Sequence, residues 1–306
     1  MDGFVMQQTK FPFVAVIIDD ASTDGEQEVI KAYVEEHFDH SQESGFREWE
    51  TEDAFFTFAR HKENKNCHFV AVYLKRNLFK EPEKKDAVVK DWFEAKYIAL
   101  CEGDDYWTEP NKLQKQVDFL EEHEDYSMCF HAAIVKNETS TRQITTCDTI
   151  EEKEYFTNDT FPGWVIPTAS VVYRKKMIDK YPVLKHEEWI KYGDIVLFLK
   201  CTHTGKVWGM SETMSVYRMT NNGAVVSQNI DPKTQYKLTL HYRFLMENFP
   251  RLDRRWPKAF IATYYYTQFR TRIGMWNRLK AVVMAFYYSP KYVIQKLLKK
   301  HPHGTY

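Results

Sequence analysis

Two apolar segments of this chain each end abruptly in carboxylates. Phe11 to Ile18 (FPFVAVII) is followed by Asp19 and Asp20, and Lys96 to Cys101 (KYIALC) is followed by Glu102-Gly103-Asp104-Asp105. Short apolar runs of this kind are typical of strands buried on both faces in a parallel sheet. The carboxyl ends of parallel strands lie at one edge, where open α/β sheets bind ligands. The sequence therefore predicts that both acidic turns face a binding site.

The remaining pattern alternates strands with amphipathic helices, which predicts an open α/β sheet that becomes mixed after about residue 125. The predicted strands after the first are His68–Leu74, Lys96–Cys101, Met128–Val135, Ser170–Arg174, Val207–Met210 and Met214–Arg218. The predicted helices are Asp24–His37, Asp86–Ala95, Asn111–His123, His186–Cys201, Lys237–Glu247, Lys258–Ile273 and Lys280–Leu298, the last broken near Pro290. Thr139 to Asp159 is polar and predicted to be a loop.

Composition excludes several classes of protein. With 43% hydrophobic residues among 306, the chain has ample material for a core. No uncharged stretch approaches the roughly eighteen residues of a membrane-spanning helix, and the first twenty residues lack the features of a secretory signal. Five scattered cysteines without a CxxC pair suggest neither disulfides nor a zinc site, which fits a reducing cytoplasm. There is no GxGxxG fingerprint after the first strand and no P-loop, so phosphate binding is expected to depend on a metal.

The turn Glu102–Asp105 gathers three carboxylates in four residues, which repel one another unless a positive charge is present. Oxygen ligands suit Mg²⁺ or Mn²⁺, and one or two carboxylates with a substrate's phosphates complete its coordination. The alternative is an acidic turn that caps the next helix. Asp19 and Asp20 similarly predict either a cradle for a nucleoside or a helix cap with solvated acids, and the local sequence leaves both open.

The ordered segments DDASTDG, EGDDYW, PTASVVYRK, GDIVLFLKC and SVYR resemble the inverting family 2 glycosyltransferases, which have the GT-A fold, a Rossmann-like sheet with flanking helices. The resemblance covers residues 1–230 and implies a catalytic domain there, with residues 231–306 forming a basic, aromatic-rich helical region. It implies transfer of a sugar from a nucleotide-diphospho-sugar, such as a UDP-sugar, to an acceptor hydroxyl with Mn²⁺ or Mg²⁺ as cofactor. The expected acceptor is a glycan or lipid-linked glycan in surface polysaccharide synthesis.

The resemblance also assigns roles to individual residues. Asp19, Asp20 and Ser22 match the nucleotide-sugar site, with Asp104 at the diphosphate, and Glu102, Asp104 and Asp105 match the metal motif. Asp194 falls where the family has its catalytic base, although the same position suits a carboxylate that stabilises a helix N-terminus. Arg218 matches a family position whose side chain can reach the diphosphate. The alternative is an arginine at the protein surface. Trp107 and Trp164 are predicted to stack on sugar rings, the alternative being core packing.

One departure from the family is expected to matter. Its members begin with a strand carrying a Pro-x-Tyr-Asn-type segment, whereas this sequence starts within the helix that follows, so the chain is interpreted as truncated at its N-terminus. A non-catalytic nucleotide-sugar-binding or scaffold protein is therefore the alternative function.

The charges are divided unevenly along the chain. Residues 254–306 contain eleven Lys or Arg and no Asp or Glu, which gives formal charges of −12 for residues 1–253 and +11 for the tail. Such a basic, aromatic-rich tail predicts binding to the surface of an anionic membrane, with the protein peripheral at the cytoplasmic face. The alternative is a tail that packs on the acidic catalytic region. No recognised module accompanies the charge, so nucleic-acid binding is not expected.

Overall fold

The computed structural model describes residues 1–79, 81–137, 150–161, 165–219, 232–270 and 274–298. They form a mixed α/β architecture with two β-sheets and flanking helices, followed by a helical C-terminal region. The mixed α/β prediction is confirmed. In the part of the chain that is described, however, the strands form two separate sheets instead of one.

The first sheet contains strands β1 to β5, in the order β1-β5-β4-β2, with β3 also paired to β4. β1 and β5 run parallel, from Phe13 opposite Cys67 to Asp19 opposite Tyr73, and the other pairs are antiparallel. β3 and β4 were not predicted, although apolar and polar residues alternate along β4. The strands are β1 (Phe13–Asp19), β2 (Phe38–Asp39), β3 (Arg47–Glu50), β4 (Ala54–His61) and β5 (Cys67–Leu74).

The second sheet has the order β6-β10-β8-β11-β7, with β9 paired to β11. β8 and β11 are parallel and the remaining pairs antiparallel, so this sheet is mixed, as predicted. β11 is one long strand where two short strands were predicted, because bulges between Met210 and Ser215 let the pairing continue. The strands are β6 (Tyr97–Ala99), β7 (Tyr106–Trp107), β8 (Tyr126–Asn137), β9 (Lys153–Tyr155), β10 (Val172–Arg174) and β11 (Lys206–Met219).

Most predicted helices are present with shifted ends. One difference stands out: the predicted helix at His186 begins only at Gly193, because His186 has a left-handed φ of 61° and Glu187–Trp189 forms a 3₁₀ turn. The tail helix is interrupted before Pro290, as expected. The helices are α1 (Asp2–Val5), α2 (Glu26–His37), α3 (Pro82–Val89), α4 (Lys112–Glu122), α5 (Thr157–Thr160), α6 (Lys175–Ile178), α7 (Gly193–Thr204), α8 (Pro232–Asn248), α9 (Arg255–Arg270), α10 (Met275–Tyr288) and α11 (Pro290–Leu298).

The prediction that the first strand is buried on both faces was wrong. Within the described residues, β1 pairs only with β5 and β6 pairs only with β10, so each lies at the edge of its sheet. Val14 is 43% exposed and most of β1 is half-buried, whereas β5, which has a neighbour on each side, is almost entirely buried. The composition of a strand indicates that its side chains pack against apolar groups, but it does not indicate how many strands pair with it.

The N-terminal segment joins the two sheets. Phe4 packs edge-on against Phe69 of β5 and against Trp107 of β7, with ring centroids 6.2 and 4.8 Å apart. The fully buried amide of Gln7 donates to the carbonyls of Gly3 (3.0 Å) and Glu109 (2.9 Å) and accepts from the Leu113 amide (3.0 Å). Since every polar atom of this buried amide is satisfied, Gln7 fixes the position of α1 against the start of α4.

The C-terminal helices pack on the α/β region through α8. Its buried residues Phe244 and Leu245, with Phe249 just beyond it, form one apolar cluster with Val196 and Leu199 of α7. These contacts belong to α8 and to the residues just after it, which precede the basic tail of residues 254–306. No helix in the described ranges is both long and apolar enough to cross a membrane.

We expect Phe244→Ala to destabilise the protein by about 3–5 kcal/mol, because it removes a fully buried ring and leaves a cavity between α7 and α8. Chemical denaturation measures the change. Phe79, which is 80% exposed, provides the matched control, and Phe79→Ala should alter stability by less than about 0.5 kcal/mol. Equal effects of the two substitutions would contradict the packing of α8 described above.

Candidate active site

The turn Glu102–Asp105 connects β6 to β7 and ends in a buried carboxylate. Asp105 is only 7% exposed, and its Oδ1 accepts a hydrogen bond of 2.9 Å from the backbone amide of Arg218, near the end of β11. Its Oδ2 is buried and has no hydrogen-bond partner among the described residues. Asp104, by contrast, is exposed, and Glu102 is exposed as a residue although its carboxyl group is partly shielded from water. Asp105 thus anchors the turn to β11 while keeping one carboxylate oxygen unsatisfied.

The carboxylates of this turn are close enough to disturb one another's ionisation. Burial raises the pKa of Asp105 to about 7, opposed by the Arg218 amide and reinforced by Asp104 and Glu102. The pKa of Glu102 is raised to about 6, chiefly because its carboxyl group loses water, and further by the charges of Asp104 and Asp194. Asp194 therefore lies within electrostatic reach of the turn, although 92 residues separate it from Glu102 along the chain.

Asp194 lies in the first turn of α7 and is half-buried. It forms part of the wall of a mainly apolar cavity of about 210 Å³ between α7 and the C-terminal helices. Phe161, Val165, Phe198 and Phe260 also line this cavity. The carboxylate predicted to be the base thus has the acidic turn on one side and an apolar cavity on the other.

The second predicted acidic turn follows β1 and is held by its own side chains. Asp19 is almost completely buried and accepts hydrogen bonds from the Ser22 amide (3.2 Å), the Ser22 hydroxyl and the Gln27 amide nitrogen (2.5 Å). Ala21 has a left-handed φ of 54°, which is uncommon for a residue with a side chain and concentrates at functional loops. Asp19 and Ser22 therefore shape this loop.

Asp20 connects the same loop to the segment after β5. Its Oδ1 accepts from the Leu78 amide at 2.6 Å, and its Oδ2 lies 3.4 Å from the Lys85 ammonium. Asn77 donates to the Asp20 carbonyl at 3.0 Å. Sequence reasoning did not identify Lys85 or Asn77, since neither belongs to a motif that includes Asp20.

The two acidic turns meet. The Oε1 atom of Glu26, at the start of α2, lies 4.0 Å from the position that a Cβ on Gly103 would occupy. Burial raises the pKa of Glu26, and the charges of Asp19 and Asp24 raise it further. The structure thus brings together the residues after β1, the residues after β6 and the start of α7.

Trp107 does not fit its predicted role of stacking on a sugar. The side chain is 6% exposed, its indole nitrogen donates to the Ala169 carbonyl at 2.8 Å, and the edge of Phe4 and the Lys112 ammonium occupy its surroundings. The alternative of core packing is correct. Trp164 lies outside the described residues. The neighbouring Tyr106 is 38% exposed and is the aromatic side chain of this turn that a ligand can reach.

Beneath Trp107 lies a buried lysine that sequence reasoning missed. Lys112 has no exposed surface, and its ammonium is 4.1 Å from the Trp107 ring centroid. The ammonium donates to the side-chain Oε1 of Gln116 at 2.8 Å. Gln116 in turn donates to the Ser170 carbonyl at 2.8 Å. Burial lowers the pKa of Lys112 to about 7. The signal in the sequence was a lysine followed four residues later by glutamine on the apolar face of α4.

Among the described residues, no three His, Cys, Asp or Glu side chains already converge on a position for a metal ion. The chemistry of the turn nevertheless fits an oxygen-bound divalent cation, because the buried Oδ2 of Asp105 is unsatisfied and its neighbours are carboxylates. Arg218, whose charge lowers the pKa of Asp105, lies at the same edge. The site can therefore take a ligand that combines a cation with anionic groups.

Comparisons with known proteins give relatives and a fold. No family model matches the chain. The uncharacterized proteins Mb1547 of Mycobacterium bovis and Rv1520 of Mycobacterium tuberculosis are each 30% identical to it over 224 residues, which is 73% of this chain and 55% of theirs. The chain thus spans about half the length of the curated relatives it matches.

The similar solved structures include S. aureus TarS. TarS 1-349 in complex with UDP matches 94% of this chain and 75% of its own, with a TM-score of 0.52 and 13% identity. A longer TarS structure matches 95% of this chain and 46% of its own, with a TM-score of 0.55 and 13% identity. The similarity shows that this chain has a GT-A-like fold followed by C-terminal helices.

The raised pKa of Asp105 predicts a specific pH dependence. A carboxyl whose folded pKa exceeds its ordinary value binds its proton more tightly when folded, so its contribution to stability is lost as pH rises from 3.8 to about 7. Without divalent cations, Asp105→Asn should therefore lose less stability than the parent protein across this range, since Asn keeps an oxygen for the Arg218 amide. Thermal unfolding at a series of pH values measures this difference.

The exposed Asp91 supplies the control, because Asp91→Asn removes a charge without a buried partner. Its pH profile should match that of the parent protein. If the Asp105→Asn profile also matches, the carboxyl group is not buried as described.

Proposed function

We propose that this protein is a metal-dependent glycosyltransferase that moves a sugar, with inversion, from a UDP-sugar to an acceptor hydroxyl. The observation that carries the proposal is the meeting of the Glu102–Asp105 turn with the Asp19–Glu26 loop and with Asp194. These residues lie at the edge where a GT-A-like fold is expected to bind its donor. The UDP complex of TarS, a glycosyltransferase of similar fold, supports the choice of nucleotide.

For the donor, Glu102 and Asp104, with Asp105 behind them, would hold Mn²⁺ or Mg²⁺ together with the diphosphate. Such an ion is bound through one or two carboxylates plus substrate phosphates, so three converged protein ligands are not required beforehand. When bound, the ion stabilises negative charge on the departing diphosphate. Arg218 lies at the same edge and would contact the diphosphate, and the Asp19–Ser22 loop, ordered by its own hydrogen bonds, would receive the nucleoside.

For the acceptor, Asp194 would take the proton from the attacking hydroxyl. A sugar hydroxyl is a poor nucleophile, and a positioned carboxylate that removes its proton during attack accelerates the reaction. Inversion needs a single displacement, hence one base and no covalent enzyme intermediate. The charges of Glu102 and Asp194 repel each other, and a cation held at the turn would relieve this repulsion.

The acceptor would be a glycan or lipid-linked glycan of surface polysaccharide synthesis. The apolar cavity beside Asp194 suits an acceptor that carries an apolar group next to its reacting hydroxyl. A cytoplasmic, membrane-peripheral location would give the enzyme access to such an acceptor. In this arrangement residues 1–230 would supply the catalytic domain and residues 231–306 its acceptor side.

A non-catalytic nucleotide-sugar-binding or scaffold protein is the second candidate. Within the described residues β1 and β6 lie at the edges of two separate sheets, which favours this candidate, because a site spanning two sheets is less rigid than one on a continuous sheet. A screen of UDP-sugars with Mn²⁺ that monitors UDP release separates the two functions. Release stimulated by an acceptor supports transfer, whereas calorimetric binding of a UDP-sugar without any release supports the second candidate.

Asp194→Asn should lower turnover by about two to four orders of magnitude, because it keeps the side chain's shape and removes its basicity. Donor affinity should persist. Glu187→Gln, which neutralises an exposed carboxylate in the preceding 3₁₀ turn, is the control and should retain normal turnover. The opposite ranking of the two variants in initial-rate assays would transfer the role of base to Glu187.

Asp104→Ala should abolish the part of UDP affinity that depends on Mn²⁺, because it removes an exposed carboxylate of the proposed metal site without disturbing the buried Asp105. Calorimetric titrations of UDP with and without Mn²⁺ measure the effect. Asp118→Ala, on the exposed side of α4, should leave both affinities unchanged. If Mn²⁺ strengthens UDP binding equally in the parent protein and in Asp104→Ala, the metal is held elsewhere.

A further inference from the structure

Helix α10 has its large apolar side chains on the outside. Met275, Trp276, Leu279, Val283 and Tyr287 are between 56% and 78% exposed, whereas the buried residues of this helix are the small Ala281 and Ala285. With 3.6 residues per turn, the five exposed positions fall within about 120° of one another. A helix that served only to pack on its own protein would bury its larger side chains.

The exposed stripe is followed by a second one on α11. Ile294, Leu297 and Leu298 are 46% to 75% exposed and share one face of that helix, while Val293 is buried. α10 packs on α9 and contacts α11, so the two stripes belong to the same outer layer of the C-terminal region. We refer to these eight exposed residues of α10 and α11 as the α10–α11 surface.

The surroundings of the α10–α11 surface are positively charged. Arg278, Lys280, Lys291 and Lys296 are exposed on the same two helices, and residues 254–306 contain no acidic residue. An exposed apolar stripe that includes Trp and Tyr and is bordered by Lys and Arg has the composition of helices that lie in the interface of an anionic bilayer.

We propose that the α10–α11 surface is a membrane-docking surface whose partner is a bilayer containing anionic lipid. Aromatic and aliphatic side chains of both helices enter the interface, and the flanking cations bind lipid phosphates. A second copy of the chain fits less well, because an isologous dimer would place the same unneutralised cations opposite one another. The docking does not depend on glycosyl transfer and would stand if the proposed reaction failed.

Docking through these helices would also position the cavity beside Asp194. Phe260 of α9 lines that cavity and is 44% exposed, and α9 is the helix on which α10 packs. The structure thus joins the proposed membrane surface to the proposed acceptor side through a single helix. If the proposed function also holds, an acceptor anchored in the same bilayer would approach Asp194 from this side.

Co-sedimentation of the full chain with vesicles tests the proposal. The vesicles contain phosphatidylcholine alone, or two parts phosphatidylcholine to one part phosphatidylglycerol. We expect binding to the anionic vesicles, weakening as salt is added, and at least tenfold weaker binding to the neutral ones. The double variant Trp276→Ser/Leu279→Ser should lose at least tenfold in affinity for anionic vesicles, with circular dichroism and thermal unfolding verifying that it is folded.

The matched control replaces one aromatic and one aliphatic side chain exposed elsewhere. Phe156→Ser/Val183→Ser removes residues that are 63% and 94% exposed on the α/β region, and it should bind vesicles like the parent protein. The proposal is overturned by parent protein that does not bind anionic vesicles, by equal binding to both vesicle types, or by equal losses in the two double variants. Light scattering that shows a dimer disrupted by Trp276→Ser/Leu279→Ser, without vesicle binding, would assign the surface to a second copy.

Discussion

Crowding of carboxylates at one edge is the constraint on which the rest of the site depends. Glu102, Asp104 and Asp105 share a turn, and Asp194 adds its charge from α7. Folding removes these groups from water and brings them together, so burial first and the neighbouring charges second raise the pKa values of Glu102 and Asp105. Such crowding of buried carboxylates is unfavourable for stability unless a cation or a proton relieves it.

Sequence reasoning predicted the parts of this site that follow from local chemistry. The acidic turns after β1 and β6 were recognisable because carboxylates directly follow apolar strands, and the helix start at Asp194 was recognisable from the family resemblance. The residues that contact these carboxylates were not recognisable, because they come from distant segments. They are Arg218, whose amide donates to Asp105, and Lys85, whose ammonium pairs with Asp20. These contacts depend on the packing of strands, which residue patterns do not specify.

The fold shows the same limit. Individual strands and helices were mostly predicted, but β1 was expected to be buried on both faces and is mostly half-buried, and within the described residues the strands form two sheets. Trp107 is a related case, since its position in an acidic turn suggested contact with a sugar. Its surroundings are Phe4, from the N-terminal segment, and Lys112, from the next helix. A motif shows which residues are neighbours in sequence. The burial of each side chain, however, depends on segments that are distant along the chain.

The buried Lys112 lies next to the residues that position the Glu102–Asp105 turn. A fully buried ammonium beneath an indole ring, with one glutamine oxygen as acceptor, is an expensive arrangement that an apolar side chain of similar size would avoid. Its position links Trp107, which follows the acidic turn, to Gln116 and through it to the Ser170 carbonyl. The turn that carries the carboxylates is thus held from below by a polar network and from the side by Asp105 and Arg218. Because the carboxylates of the turn repel one another, these two sets of contacts hold the turn in place against that repulsion.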